Sequence, residues 1–208
     1  MPEGQEADDS CIQPNSAHSN MLVVVRGNSG SGKSTAAETV RRRFGRGCAL
    51  VEQDYVRRVL LREHRDAEGA IAPAFLTMIA REALGRGYHV VLEGILDAAG
   101  HGAALRELIA GHDGPSAVFY LDVSFAETVR RHRGRAEATG FTERHMRDSY
   151  RPRDLLGAPG EHVIPETAGP DDVVATIMHA GGLDRVGPLT PCPVRCPRCA
   201  EKRGQAAS

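Results

Sequence analysis

No stretch of this 208-residue chain approaches the roughly 18 consecutive apolar residues that a membrane-spanning helix requires. Residues 1–20 carry Glu3, Glu6, Asp8 and Asp9 and lack a basic start followed by an apolar core. They are not a secretory signal, and the expected location is the cytoplasm. Charge of either sign is nearly cancelled, with a formal net of -1. No global field therefore draws nucleic acid or membrane, and binding of either kind would need a local patch. Cysteine is scarce, at five residues with three of them clustered at Cys192, Cys196 and Cys199, which excludes a disulfide framework. The nine histidines show no paired metal spacing. Lysine is scarcer still: only Lys33 and Lys202 occur among 26 basic residues. Lys33 is thus the single lysine in the part of the chain that reads as folded. The length suits one α/β domain and is tight for two.

What surrounds that lysine organises the chain. Gly27, Asn28, Ser29, Gly30, Ser31, Gly32, Lys33 and Ser34 fit the pattern G-x-x-x-x-G-K-[ST] at every fixed position. Glycines let the backbone turn inward so that several N–H groups point at one phosphate chain. The lysine reaches the β- and γ-phosphate oxygens, and the following hydroxyl holds Mg²⁺. A helix starting here adds the partial positive charge of its N-terminus. Context supports the motif. The β-branched run 22–25 before it reads as a buried parallel strand, and residues 35–44 after it, free of Gly and Pro, read as helix.

The rest of the chain alternates. Strands are expected at 22–26, 49–52, 88–92, 117–121 and 162–164. Helices are expected at 35–44, 55–63, 73–84, 103–110, 142–150 and 170–180, with another opened by Ser124 and Glu127 as a capping box. Such alternation implies a five-stranded parallel sheet with helices on both faces, whose ligands bind beyond the carboxyl ends of the strands. Residues 1–20 read as a disordered leader, 21–183 as the domain, and 184–208, rich in Pro and Cys, as a tail without apolar periodicity.

Acidic residues cluster at the expected strand ends. Asp54 follows the second strand, with Arg57 three residues on and therefore on the same helical face. Asp54 is either the base that takes a proton from an attacking hydroxyl or simply an N-cap. Arg57 would hold the acceptor or a phosphate. Glu93 ends the third strand, placed to orient Mg²⁺, to meet the acceptor, or only to be solvated. Asp122 reads as a cap for the following helix. Arg130, Arg131, Arg133 and Arg135, with His132, form a basic run that is either a solvated face or a lid that neutralises charge in phosphoryl transfer. The C-x₃-C-x₂-C spacing of the three tail cysteines suits zinc with a fourth ligand, but free thiols in a disordered tail are the expectation.

In three places, residues 27–35, 53–57 and 121–135, the chain resembles the P-loop kinases of small acceptors, nearest the polynucleotide 5′-hydroxyl kinase and chloramphenicol phosphotransferase branch. The resemblance implies a P-loop NTPase fold of kinase type with an Arg-rich lid, using ATP and Mg²⁺. It implies that Gly27 through Thr35, with Arg131, bind the nucleotide. Lys33, Asp54, Arg57 and Arg135 would be catalytic, with Asp54 the general base and Arg135 the lid arginine on the transferring phosphoryl group. Ser34 would serve the metal, and Glu93, read at its strand end as a second metal residue, corresponds in the resemblance to a strand-3 carboxylate that assists at the acceptor side. The expected activity is transfer of the γ-phosphate to a hydroxyl of a small molecule or, less favoured, of a nucleic-acid 5′ end. The rival is a nucleotide-dependent switch ATPase with no acceptor.

Overall fold

The computed structural model describes residues 20–64, 71–134 and 142–186. Five strands, β1 (Leu22–Gly27), β2 (Cys48–Glu52), β3 (His89–Gly94), β4 (Ser116–Asp122) and β5 (His162–Pro165), form one all-parallel sheet in the order β2-β3-β1-β4-β5. β1 lies at the centre and is buried at every residue, as a continuous Leu-Val-Val-Val run requires when helices cover both faces. Side chains alternate along it. Val23 and Val25 face α1 (Lys33–Phe44), α6 (Pro170–Ala180) and the short α7 (Leu183–Val186); Leu22 and Val24 face α2 (Ala72–Gly85) and α3 (Gly102–Ala110). Each fully buried Val or Leu contributes about 1.5–3 kcal/mol, so this central strand anchors both half-cores. Helices α4 (Phe125–Arg133) and α5 (Glu143–Ser149) complete the described fold.

Because all strands run the same way, their carboxyl ends share one rim. The phosphate loop leaves β1 there, and β3, one register row away, brings Glu93 opposite Val25 of β1 and Glu52 of β2. No described helix is long and apolar enough to cross a membrane.

Three local expectations are corrected. The segment expected as an ordinary helix over 55–63 is π-helical at Tyr55–Leu60, with the Leu61 N–H donating to the Val56 carbonyl at 2.9 Å. The wider turn puts residues five apart on one face, and Val56 and Leu61 both pack into the α2–α3 half-core. The capping box at Ser124 is only half formed. Ser124 Oγ accepts the Glu127 N–H at 3.4 Å, but the Glu127 carboxylate turns to Arg130 and Arg131, and Glu166 accepts the Ser124 N–H instead at 2.9 Å. Asp122, expected as a cap, instead lies 3.7 Å from an Arg153 guanidinium nitrogen. The fold also runs through α7 to Val186, so Asp184–Val186, assigned to the tail by sequence, belong to the folded region; Asp184 Oδ2 lies 2.9 Å from His179 Nδ1. The leader through residue 19, and the tail beyond 186 with its three cysteines, lie outside the described residues.

Candidate active site

The loop between β1 and α1 is shaped by glycines. Gly30 has φ 81° and Gly32 φ 96°, in the left-handed region that L side chains rarely adopt. A Cβ on Gly30 would lie 2.7 Å from the Thr128 carbonyl oxygen of α4 and 3.3 Å from Met146 Cε of α5. The loop therefore lies directly against α4, whose last turn carries most of the basic run, and α5. Lys33 and Ser34 open α1, where N–H groups have no intrahelical acceptor and the helix dipole is positive. Thr35 is exposed in the same turn, its carbonyl accepting from Thr39 Oγ1 at 2.8 Å.

Not every loop side chain faces outward. Asn28 is buried. Its Nδ2 donates to the Arg151 carbonyl at 2.7 Å and to Tyr120 Oη at 3.2 Å, while its Oδ1 accepts the Arg151 N–H at 2.9 Å. The amide is thus spent on tying the loop to the chain after α5. Ser31 Oγ is also buried, with no hydrogen-bond partner. Only the backbone of these two residues is available to a phosphate.

Ser34 and Glu93 meet: Ser34 Oγ donates to Glu93 Oε2 at 3.2 Å. Glu93 is 2% exposed. Burial pushes its carboxyl up, opposed by the nearby Lys33 charge and by the Ser34 bond. Among the described residues Lys33 itself forms no ion pair. A hydroxyl and a buried carboxylate beside a phosphate loop fit Mg²⁺, which takes few protein oxygens and completes its shell with water and phosphate. No group of three or more His, Cys, Asp or Glu side chains placed to hold a metal occurs among the described residues.

Asp54 sits at the end of β2 with its side chain 62% exposed. It occupies the N-cap position of the π-helical segment with helical backbone angles, and its side chain caps nothing. The N-cap role that the sequence allowed is therefore not formed by this side chain. Its Oδ1 accepts from Arg57 Nη2 at 3.1 Å and lies 3.4 Å from Arg58 Nε. Arg57 is only 15% exposed, so the two residues do share a face, with the guanidinium inside and the carboxylate outside.

The basic run divides. Arg130 and Arg133 project into solvent, paired with Glu127 and Glu143. Arg131 turns inward: its Nη1 donates to the Ser31 carbonyl of the phosphate loop at 2.9 Å, and its Nε to Glu127 at 2.6 Å. The Arg130 and Arg131 guanidinium groups hold Glu127 down to about 2. Arg135 lies outside the described residues.

Sequence reasoning passed over a second layer. Arg26 reads as the polar end of a strand, yet it is 0% exposed. It donates to the Leu96 carbonyl at 2.9 Å, to Glu161 at 3.0 Å and to Asp154 at 3.1 Å. The signal was an arginine inside a buried run, which demands acidic partners, although those partners lie far along the chain. Gln53 and His101, both near the rim, were likewise unsignalled.

A family profile described as AAA domain matches residues 22–153. The structure is similar to the Mycobacterium tuberculosis APS kinase solved with AMPPNP and APS (TM-score 0.63, 19% identity, 81% of this chain and 99% of that one). It is also similar to a gluconokinase from Sinorhizobium meliloti (0.55, 19%, 82% and 95%) and to the shikimate kinase of Acinetobacter baumannii with bound shikimate (0.53, 18%, 80% and 96%). These likenesses show a shared fold, that of the P-loop kinases. Comparison with curated proteins finds no match.

Proposed function

The chain belongs to the AAA domain family, and from that premise we propose that it is a kinase that moves the γ-phosphate of ATP to a hydroxyl of a small molecule. The observation that carries the reading is the Ser34–Glu93 contact at 3.2 Å beside Lys33, with Asp54 uncapped and exposed at the adjoining strand end.

In this reading the loop amides and Lys33 hold the triphosphate, and Arg131 steadies the loop from behind through the Ser31 carbonyl. Ser34 and Glu93 hold Mg²⁺, which when bound neutralises charge on the β- and γ-phosphate oxygens. Asp54 accepts the proton of the acceptor hydroxyl, and Arg57 aims that carboxylate by donating to its Oδ1. Arg135 is proposed as the lid arginine over the transferring group. Positioning and charge stabilisation supply most of the acceleration. The catalytic unit is assigned to residues 21–183 with α7 appended, working in the cytoplasm.

The kinases of similar fold act on APS, gluconate and shikimate by their names, which supports a small acceptor over a nucleic-acid end. A neutral overall charge points the same way. The nearest branch is proposed to be that of polynucleotide 5′-hydroxyl kinases and chloramphenicol phosphotransferases. A screen with γ-labelled ATP against nucleosides, aminoglycoside-like and phenicol antibiotics, sugars and 5′-hydroxyl oligonucleotides tests the proposal. Label transfer to one class is the expected result. Hydrolysis at the same rate with every compound and with none would replace the kinase by a switch ATPase.

A further inference from the structure

Leu96 is a buried leucine with φ 44°, a backbone conformation that costs a non-glycine residue energy and persists only where its surroundings impose it. It lies in the loop from β3 to α3, two residues after Gly94, and two side chains grip it. Arg26 Nε holds its carbonyl at 2.9 Å. On the other side Gln53 Oε1 accepts its N–H at 3.2 Å. Gln53 is the residue before Asp54, is buried, and fills space that any Cβ on Gly94 would enter.

The Leu96 bond fixes which way the Gln53 amide points, since only its oxygen can accept from an N–H. The amide nitrogen then faces His101 Nε2 at 3.0 Å. An NH₂ group only donates, so His101 Nε2 must accept, and the ring proton belongs on Nδ1. Nδ1 lies 3.2 Å from Asp97 Oδ2, and Asp97 Oδ1 accepts the Gly100 N–H at 2.7 Å. Each of these contacts pairs one donor with one acceptor, and the order reads in one direction only.

We propose that Gln53, His101 and Asp97 form a hydrogen-bond relay that positions the loop 94–101 against Asp54, with Gln53 specifying the Nδ1–H tautomer of His101. These are positioning residues, acting through the loop. A ring proton on Nε2 would set two donors face to face and release Gln53 from one of its partners. The other charged groups around the loop do not interrupt the relay. Arg26 is held by Asp154 and Glu161, Asp154 accepts the Ala98 N–H at 2.9 Å, and Arg106 donates to the Leu156 carbonyl. The proposal rests on the kinase reading only in naming this loop as the acceptor side.

The test needs no acceptor. Long-range ¹⁵N–¹H correlation spectra of the full chain report the His101 tautomer, and amide exchange reports Leu96. The wild type should show the Nδ1–H form. Gln53→Leu should lose that preference and speed Leu96 exchange by about tenfold or more, the mark of local opening. Gln53→Glu keeps an acceptor for Leu96 while offering His101 a carboxylate. It should hold Leu96 exchange within about threefold of wild type but move the ring proton to Nε2. Affinity for AMPPNP should stay within about twofold in both variants. An Nε2–H tautomer in the wild type would overturn the proposal with no variant needed. So would unchanged spectra in Gln53→Glu, or a loss of AMPPNP affinity parallel to the loss of Leu96 protection. A failed acceptor screen would leave these outcomes untouched, and a wrong tautomer would leave the kinase reading standing.

Discussion

The two sides of the rim are built differently. On the nucleotide side the working groups are fixed by bonds to distant parts of the chain: Ser34 to Glu93, Asn28 to Arg151, Arg131 to Ser31. On the acceptor side Asp54 is 62% exposed, and among the described residues its partners are Arg57 and Arg58 of its own π-helical segment. Tyr55, Val59 and Leu60 of that same segment, and Ile71 and Met78 at and within α2, all show large apolar surface. On the nucleotide side long-range bonds reach the working groups themselves, while on the acceptor side they hold the loop after β3 through Gln53 and Leu96, and Asp54, among the described residues, is held by bonds within its own segment. Reactivity at Asp54 should therefore separate cleanly from stability, whereas at the nucleotide side the two should move together.

The largest effect tests that separation directly. Asp54→Asn keeps the shape and removes the base, and should lower acceptor-dependent turnover by roughly 10²–10⁴. The side chain caps nothing, and the exposed pair with Arg57 is worth about 0–1 kcal/mol, so the thermal midpoint should barely move. ATP affinity should be unchanged. Equal losses of rate, midpoint and affinity would erase the contrast between the two sides and shift the base to Glu93.

Next in size is Lys33→Ala. Loss of one preorganised charge should cost on the order of 10²-fold in turnover, and nucleotide affinity should fall with it because this residue belongs to the prebuilt half. Turnover near wild type would remove the basis of the kinase reading.

Glu93→Gln should do two opposite things. Turnover should drop by about 10–100-fold, as when a group that orients a metal site is altered. Without nucleotide, and with a chelator present, the variant should be more stable at neutral pH. Burial raises the Glu93 carboxyl above its ordinary value, so the native state holds this proton more tightly than the unfolded chain does. Stability from the group is complete below the ordinary glutamate value of about 4.3 and is lost as pH rises through the raised folded value. The glutamine variant has no such loss. It should melt higher at pH 7 by about 2–4 °C for each kcal/mol recovered and converge with wild type near pH 4. A variant that melts lower at every pH would show that Glu93 serves stability first.

These contrasts also mark what could be read from sequence. The parallel sheet was legible because its strands are continuous apolar runs, and Leu22–Val25 needs helices on both faces to be buried as it is. The phosphate loop was legible because its glycines, Lys33 and Ser34 lie within eight positions of one another. Glu93 could be placed at the rim because β3 is short and apolar. The π-helical turn at Tyr55–Leu60 could not be read, since it arises from Val56 and Leu61 both reaching the core. Nor could Arg26, whose partners Asp154 and Glu161 lie 128 and 135 residues away. The capping box at Ser124 failed for a similar reason: a local carboxylate, Glu127, found better partners in two arginines, and a distant one, Glu166, took its place.

The smallest effect lies inside the basic run, where adjacent arginines should fall on opposite sides of the comparison. Arg130 is exposed and, among the described residues, paired with Glu127 through both Nε and Nη2. Arg130→Ala should leave the thermal midpoint close to that of the wild type, as for an exposed ion pair screened by solvent, and leave nucleotide affinity alone. Glu127 retains Arg131, so its carboxylate stays paired. Arg131 shares that glutamate but also donates to the Ser31 carbonyl inside the phosphate loop. A charged donor to a carbonyl is worth about 1.5–3 kcal/mol, and its loss lets the loop relax away from the form that cradles phosphate. Arg131→Ala should therefore weaken ATP binding by about tenfold or somewhat more, while Arg131→Lys, which cannot span Glu127 and Ser31 together with one ammonium, should recover only part of it. Titration of both variants with AMPPNP decides the matter. Equal affinities for the two alanine variants would make the whole run a solvated face, and the loop's support would then have to come from the Asn28 bonds to Arg151 and α4 backbone packing at Gly30.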